Sequence, residues 1–400
     1  MSFSIPHLPP PLAIGWDWWL PPNYSVHGRQ MDVIFLFIFW ITTIIFFGVQ
    51  GALVYFLIKY RGRPNNRKGI FSHGNTRLEM TWTIVPAIIL IVIALWTKKV
   101  WDDYRYNPAV SNDPNVVKIL VIGQQFKWNV VYPGPDGELG RYLMYPKTTD
   151  LKWPKMPEGA TFQFPTAPGP AYLPEEQARQ ILDNYIENVN PLGKDFDDPN
   201  GTDDDWRDSF RAVEVPKGRS IEVNIGSRDV IHDFYLPNFR VKLDAVPGMR
   251  GKIYLTATAS CREKQDPPKA YKLDGLGKVV ADLNKQHREA DAVINEKTPG
   301  AKLKKPRRGP SFYCYEDKDG NTILRDGSPV QPADIAALKV AGITEVTVSV
   351  PFYWELVCEE LCGQGHYTMQ DKFIVLDDEQ MKQEPYTKYF KQPPAKVAMK

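Results

Sequence analysis

Residues 33–58 read VIFLFIFWITTIIFFGVQGALVYFLI. Between Asp32 and Lys59 about 26 residues pass without a charge, more than the ~20 a helix needs to cross a bilayer core. A second charge-free run, Trp82 to Thr97 (WTIVPAIILIVIALWT), is shorter, and Leu78, Met80 and Trp101 extend it toward spanning length. A buried core helix would account for one such run alone. The pair is better explained as a membrane hairpin, because the linker carries Lys59, Arg61, Arg63, Arg67, Lys68 and Arg77 against one acid, Glu79, whereas only Arg29 precedes the first run. Basic loops stay in the cytoplasm, so both ends of the hairpin are expected outside; Lys98 and Lys99 weaken that bias without reversing it. The opening MSFSIPHLPPPLAIGWDWW lacks a basic n-region and an unbroken apolar stretch, so no cleavable signal peptide is expected.

Beyond Trp101 the pattern changes to short β-branched and aromatic runs bounded by Pro and Gly: VVKILVIGQQFKWNVVYP, RAVEVPKGRSIEVNIG, RGKIYLTATAS and TEVTVSVPFYWELVC. Such runs predict an antiparallel β-sandwich or barrel. Two long polar insertions interrupt it, at about 147–209 and 261–342. The first is rich in Pro and Asp, with a short helix expected at Pro174 to Val189; the second is Lys-rich, with a helical stretch expected near Leu276 to Ile294. The expected organisation is therefore an external segment 1–31, a hairpin 32–101 with helices at about 32–60 and 79–101, a β domain 102–385 and a tail 386–400. The formal net charge of +2 over 400 residues says nothing about nucleic acid, and no basic stripe interleaved with aromatics appears, so no nucleic-acid partner is expected.

Chemistry concentrates in Cys358-Glu-Glu-Leu-Cys362-Gly-Gln-Gly-His366-Tyr-Thr-Met369. Two thiols, an imidazole and a thioether in so short a stretch suit copper in electron transfer. Zinc is the rival, although a structural zinc site normally has no Met and wants a second regularly spaced Cys or His pair. A disulfide between Cys358 and Cys362, or inert thiols, is the plainer alternative. Neither accounts for His366 and Met369 at their spacing. A second imidazole is needed, and His232 lies in Ser227-Arg-Asp-Val-Ile-His232-Asp-Phe-Tyr-Leu-Pro237, at the end of a strand. A lone His is more often a polar surface residue.

These motifs resemble subunit 2 of cytochrome c oxidase. The family pattern S-x-D-V-x-H-x-F-x-x-P, followed by K-x-D-A-x-P-G, is met by Ser227 to Pro237 and Lys242 to Gly248; C-x-E-x-C-G-x-x-H-x-x-M is met from Cys358 to Met369; and E-x-x-W-T-x-x-P is met from Glu79 to Pro86. The resemblance implies a cupredoxin-type barrel with a dinuclear copper centre, bridged by Cys358 and Cys362. His232 and Met369 would complete one ion, and His366 with the backbone carbonyl of Glu360 the other. It implies further that the Glu360 side chain reaches a magnesium or manganese ion shared with the catalytic subunit, and that Glu79 stands at the mouth of a proton path. Without the family, Glu360 is an exposed acid and Glu79 marks a helix boundary. The implied partners are a haem-copper catalytic subunit 1, other oxidase subunits, and a cytochrome c or a cytochrome held in a larger respiratory assembly. The implied setting is a bacterial inner (plasma) membrane with the copper domain on the periplasmic side, the chain serving oxygen reduction and proton translocation only within the complex.

Other features depart from the family or stand outside its motifs. Where the family has G-H-Q-W-x-W, its first Trp receiving electrons, this chain has Gly123-Gln-Gln-Phe126-Lys127-Trp128. Electron arrival is expected near Phe126 and Trp128, and Lys127 would repel a basic cytochrome, so an unusual donor is expected. The acidic stretch Asp195 to Asp205 is read as a solvated loop or as docking charge, and it misses the register of a calcium loop. Cys261 and Cys314 bracket most of the second insertion, and a disulfide between them would clamp it. No Cys-x-x-Cys-His occurs, so no covalent haem is expected. The competing classes are a metallochaperone or the copper domain of nitrous oxide reductase, against which the hairpin and Glu79 argue, and a quinol oxidase subunit, which dispenses with the copper ligands.

Overall fold

The computed structural model describes residues 20–62, 71, 73–142, 192–195, 198–208, 212–286, 290–294, 302–304, 314–316, 319, 321–325, 330–383 and 385–391. Two long helices come first, α1 (Gly28–Lys59) and α2 (Thr76–Arg105). Asn75 caps α2, its side chain accepting from the backbone N–H groups of Arg77 and Leu78 at 3.1 and 3.2 Å. Apolar residues surround both helices and stay uncovered: Phe47 is 67% and Leu90 66% exposed. In water such surface would cost ~25 cal/mol per Å², so these helices require an apolar solvent. Each is long and apolar enough to cross a membrane.

Sixteen strands follow among the described residues. Eight precede the second insertion: β1 (Val117–Gln124), β2 (Lys127–Tyr132), β3 (Asp205–Asp208), β4 (Val213–Pro216), β5 (Ser220–Ser227), β6 (His232–Leu236), β7 (Val241–Ala245) and β8 (Gly251–Thr256). Six lie within or at the end of that insertion: β9 (Lys269–Lys272), β10 (Asp291–Ile294), β11 (Lys302–Lys304), β12 (Cys314–Glu316), β13 (Thr322–Arg325) and β14 (Glu345–Ser349). β15 (Trp354–Cys358) and β16 (Gln370–Leu376) complete the set.

Two five-stranded sheets, β3-β2-β1-β5-β8 and β4-β16-β15-β6-β7, make the cupredoxin-like sandwich. Their buried faces share one core that includes Trp128, Tyr132, Phe234, Phe239 and Phe373, all fully enclosed. Truncating one such aromatic to Ala typically costs ~3–5 kcal/mol. The sheets are mixed rather than purely antiparallel: β1 runs parallel to β5, and β16 to β4. Both parallel pairs join strands far apart in the chain, so no hairpin dictates their direction.

The second insertion is a small module with its own core of Leu276, Val280, Ile294, Leu338, Val346 and Val348. The expected helix from Leu276 to Ile294 ends at Lys285, and Asp291–Ile294 is instead strand β10, paired antiparallel with β14. TEVTVSV, read as part of the barrel, supplies β14, which pairs with β9 and β10 and with neither barrel sheet. The expected helix at Pro174 to Val189 lies outside the described residues. Of the acidic stretch, Asp198 accepts from the Arg141 N–H, and Asp204 from the Gly140 N–H and the Tyr142 hydroxyl, each at 2.9 Å. These acids thus hold the base of the first insertion.

The hairpin is fastened to the barrel at one corner. Arg240 Nε and Nη2 donate to Asp32 at 2.7 and 3.2 Å, and Tyr24 N–H donates to the Asn238 carbonyl at 2.8 Å. His27 fills the corner, its ring 5.3 Å from that of Tyr104. Burial, opposed by a hydrogen bond with the Phe239 backbone, pushes its imidazole down to about 4. Because the folded value lies below the ordinary 6.5, the unfolded chain binds the proton first and stability is lost as pH falls from 6.5 toward 4. His27→Gln should flatten that acid loss, measured as the melting midpoint of the detergent-solubilised chain at pH 7 and pH 5; an unchanged slope counts against the assignment.

Candidate metal centre

The site forms where β6 meets the loop joining β15 to β16. Cys358 pairs with Phe234 and Val357 with Tyr235, so the start of β6 lies beside the end of β15. His232 opens β6 and is fully enclosed; Cys358 and Cys362 are buried, and Met369 is 1% exposed. The ligand atoms of His232, Cys358 and Cys362 all lie within 4.8 Å of one another.

Each thiol has its own imidazole. Cys358 Sγ is 3.9 Å from His232 Nδ1 and 3.3 Å from the Glu360 carbonyl oxygen. Cys362 Sγ is 3.5 Å from His366 Nδ1 and 3.9 Å from Met369 Sδ. Both thiols are free, so the Cys358–Cys362 disulfide is not formed. The donor set is five side-chain atoms of soft or borderline character plus one carbonyl, gathered around the buried Cys358, Cys362 and His232. That chemistry fits copper.

The surroundings orient the donors. Asp229 Oδ1 lies 2.8 Å from His232 Nε2, which fixes Nε2 as the protonated nitrogen and turns the Nδ1 lone pair toward the sulfurs. Burial opposes the charge on His232, but Asp229 and Cys358 outweigh it and raise the imidazole to about 8. Burial raises the Cys358 thiol, yet hydrogen bonds with His232 and the Asp233 N–H carry it below its ordinary value. Burial and the neighbouring Cys358 push Cys362 up to about 11. One thiol is therefore the readier to become a thiolate before any metal arrives.

Gln125, which the sequence reading passed over, ties the two loops together. Its N–H donates to Asp229 Oδ2 at 2.7 Å and its Nε2 to the Cys362 carbonyl at 2.5 Å. Phe126 is half-buried and lies over the metal loop: a methyl on Gly365 would stand 2.5 Å from Phe126 Cδ2. Trp128 is fully enclosed, with its ring edge-on to His232 at 6.0 Å and to Phe234 at 5.6 Å. Of the two aromatics expected to receive electrons, only Phe126 reaches the surface. The Glu360 side chain is exposed, and Glu79 is exposed in the first turn of α2, far from this site along the chain. Cys261 is a free, buried thiol that accepts from the Val375 N–H at 3.2 Å. The expected bridge to Cys314 is therefore absent: Cys261 Sγ points into the barrel core, while the Cys314 side chain lies outside the described residues.

Two apolar helices and a cupredoxin-like sandwich with a buried Cys, His and Met cluster define a membrane-anchored metalloprotein of copper type. The family model for the transmembrane domain of cytochrome c oxidase subunit II matches residues 13–100, and that for its periplasmic domain matches residues 206–262. In both segments the chain is similar to the cytochrome c oxidase subunit II family. It is 27% identical to the alternative cytochrome c oxidase subunit 2 of Bradyrhizobium diazoefficiens, over 58% of this chain and 67% of that one. It is also 28% identical to quinol oxidase subunit 2 of Bacillus subtilis, over 45% of this chain and 59% of that one. The chain thus spans about two thirds of the length of these relatives or less. The crystal structure of the periplasmic domain of cytochrome oxidase subunit II of Bradyrhizobium japonicum aligns at 15% identity and a TM-score of 0.24, covering 66% of this chain and 88% of that one.

Gly123 is required by the site. A methyl there would lie 2.7 Å from His232 Cδ2, and relieving such overpacking costs ~1–3 kcal/mol. Gly123→Ala should displace the imidazole and lower the metal content of a protein that still folds, read by metal analysis beside circular dichroism; full metal content would contradict this.

Proposed function

We propose that this chain is the electron-accepting subunit of an aerobic cytochrome c oxidase. In this reading it holds two copper ions between the Cys358 and Cys362 thiolates, with His232, Met369, His366 and the Glu360 carbonyl as the remaining donors. The observation that carries the reading is the convergence of those six groups, from two separate segments, around the buried cluster of His232, Cys358 and Cys362. The two thiolates would hold the copper ions, and such a centre would supply one-electron transfer with little change in bond lengths. The protein's own contribution is rigidity and dryness: the strand pair β6–β15, the Asp229 contact and the enclosing Trp128 and Phe234 rings restrain His232 and exclude water.

The rest of the reading follows the family. Electrons arrive by way of Phe126, against the metal loop, from a cytochrome unlike the ordinary basic ones, Lys127 being adjacent. They leave to a haem in the catalytic subunit, where oxygen is reduced and protons are moved. The exposed Glu360 carboxylate is suited to magnesium or manganese, hard cations that prefer oxygen, at the boundary with that subunit. Glu79, on the cytoplasmic side, would stand at the mouth of a proton path. The hairpin sits in a bacterial plasma membrane with the copper domain outside. A quinol oxidase subunit, for which the Bacillus relative speaks, is disfavoured because every copper donor is present.

Metal analysis and EPR of the purified full chain should give two coppers sharing one electron; one zinc per chain would overturn the reading. Cys358→Ser and Cys362→Ser should each abolish that signal. Reduction by a basic cytochrome c should be slow and only weakly dependent on salt, measured by stopped flow, whereas a fast rate falling steeply with salt would overturn the proposed donor.

A further inference from the structure

We propose that Lys242 is a positioning residue that couples the outer end of the second membrane helix to both metal-carrying segments; the inference rests on the copper reading above. Its Nζ lies 3.0 Å from Asp233 Oδ2 and 2.7 Å from Glu359 Oε2. Asp233 directly follows His232, and Glu359 directly follows Cys358. One ammonium therefore spans the strand that presents the imidazole and the loop that presents the thiols and the Glu360 carbonyl. The backbone of the same residue is held at its other side: Lys242 N–H donates to Tyr104 Oη at 3.0 Å, and that hydroxyl donates back to the Lys242 carbonyl at 3.0 Å. Tyr104 belongs to the last turn of α2.

Charge makes the contact more than incidental. The Asp233 side chain is 2% exposed, and its Oδ1 has no hydrogen-bond partner among the described residues. The Asp233 N–H also faces Cys358 Sγ at 3.5 Å, so a shift of Asp233 is felt at the sulfur. Asp244 pairs across from Asp233 and adds a third negative charge to the neighbourhood. Without the ammonium, the carboxylates of two ligand-carrying segments would face each other in a half-dry site and push those segments apart. Both acids occupy positions that the family patterns S-x-D-V-x-H-x-F and C-x-E-x-C leave open, whereas Lys242 opens the pattern K-x-D-A-x-P-G, so the clamp joins one patterned residue to two that the patterns do not specify.

The test uses the full chain purified from membranes with its copper. Lys242→Met should shift both the copper hyperfine pattern in EPR and the reduction potential, Lys242→Arg should restore most of each, and Glu359→Gln should shift them in the same direction by less. A copper-loaded Lys242→Met protein with wild-type spectrum and potential overturns the inference. Should Lys242→Met lose its copper, Glu359→Gln decides, since it keeps the ammonium on Asp233: a shifted spectrum supports the clamp and an unshifted one overturns it. A wild-type chain without copper overturns the metal reading and this inference with it, whereas a wild-type copper spectrum beside an indifferent Lys242→Met overturns this inference alone.

Discussion

The register between β6 and β15 is the constraint on which the site depends. Cys358 sits opposite Phe234, which leaves His232 at the open end of β6, beside the sulfur. Side chains alternate across a strand, so a slip of one residue would turn His232 out of the pocket and bring Ile231 or Asp233 in. The large rings of the core oppose that slip. Phe234 is enclosed between Trp128 and the second sheet, and Phe239 and Phe373 pack edge to edge at 5.1 Å behind it. The hydrophobic core thus acts as the ruler for the metal centre, and it lies within the same sandwich that the two sheets close.

Rigidity of this kind would serve the electron transfer proposed for the site. The donors are supplied by a strand on one side and a loop on the other, and three separate ties join the two: the Gln125 and Asp229 hydrogen bonds, the Lys242 ion pairs and the β6–β15 ladder. Each works on a different part of the pocket. Gln125 holds the Cys362 side, Lys242 the Cys358 side, and the ladder the strand between them. A site pre-organised by such supports changes its own geometry little when its charge changes.

Much of this was legible in the sequence, for identifiable reasons. The hairpin was readable because exclusion of charge from a membrane leaves long uninterrupted runs. The cluster of Cys358, Cys362, His366 and Met369 was readable as a group because Cys, His and Met of soft character recur at short spacing. Pairing direction was not readable, since alternation in β1 or β16 is the same whether the neighbour runs parallel or antiparallel. For the same reason Glu345 to Ser349 passed as a barrel strand, although its partners belong to the inserted module. The Leu276 to Ile294 helix was read too long because apolar residues continue past Lys285; only the β14 partner, remote in the chain, turns Asp291–Ile294 into a strand. Asp233 and Glu359 left no local signal, and Lys242 stood in a family pattern without a stated role, because a charged residue alternating with apolar ones reads as a solvent-facing position until the fold brings three of them together.

The inserted module explains how a metal site can survive so long an interruption. The chain leaves the first sheet at Thr256 and returns to the second only at Trp354, so the two halves of the ligand set are separated by a folded unit. The entropy of closing a loop grows only slowly with its length, and this one stabilises itself through a core distinct from the barrel's. The periplasmic-domain family match accordingly contains His232 but stops at residue 262, before the cysteine loop. The cysteine loop is therefore placed by β15, β16 and the contacts they make with β6, while the inserted module packs on its own core. An insertion at this point lengthens the chain without entering the pocket, which is why a composition foreign to the barrel is compatible with an uninterrupted set of donors.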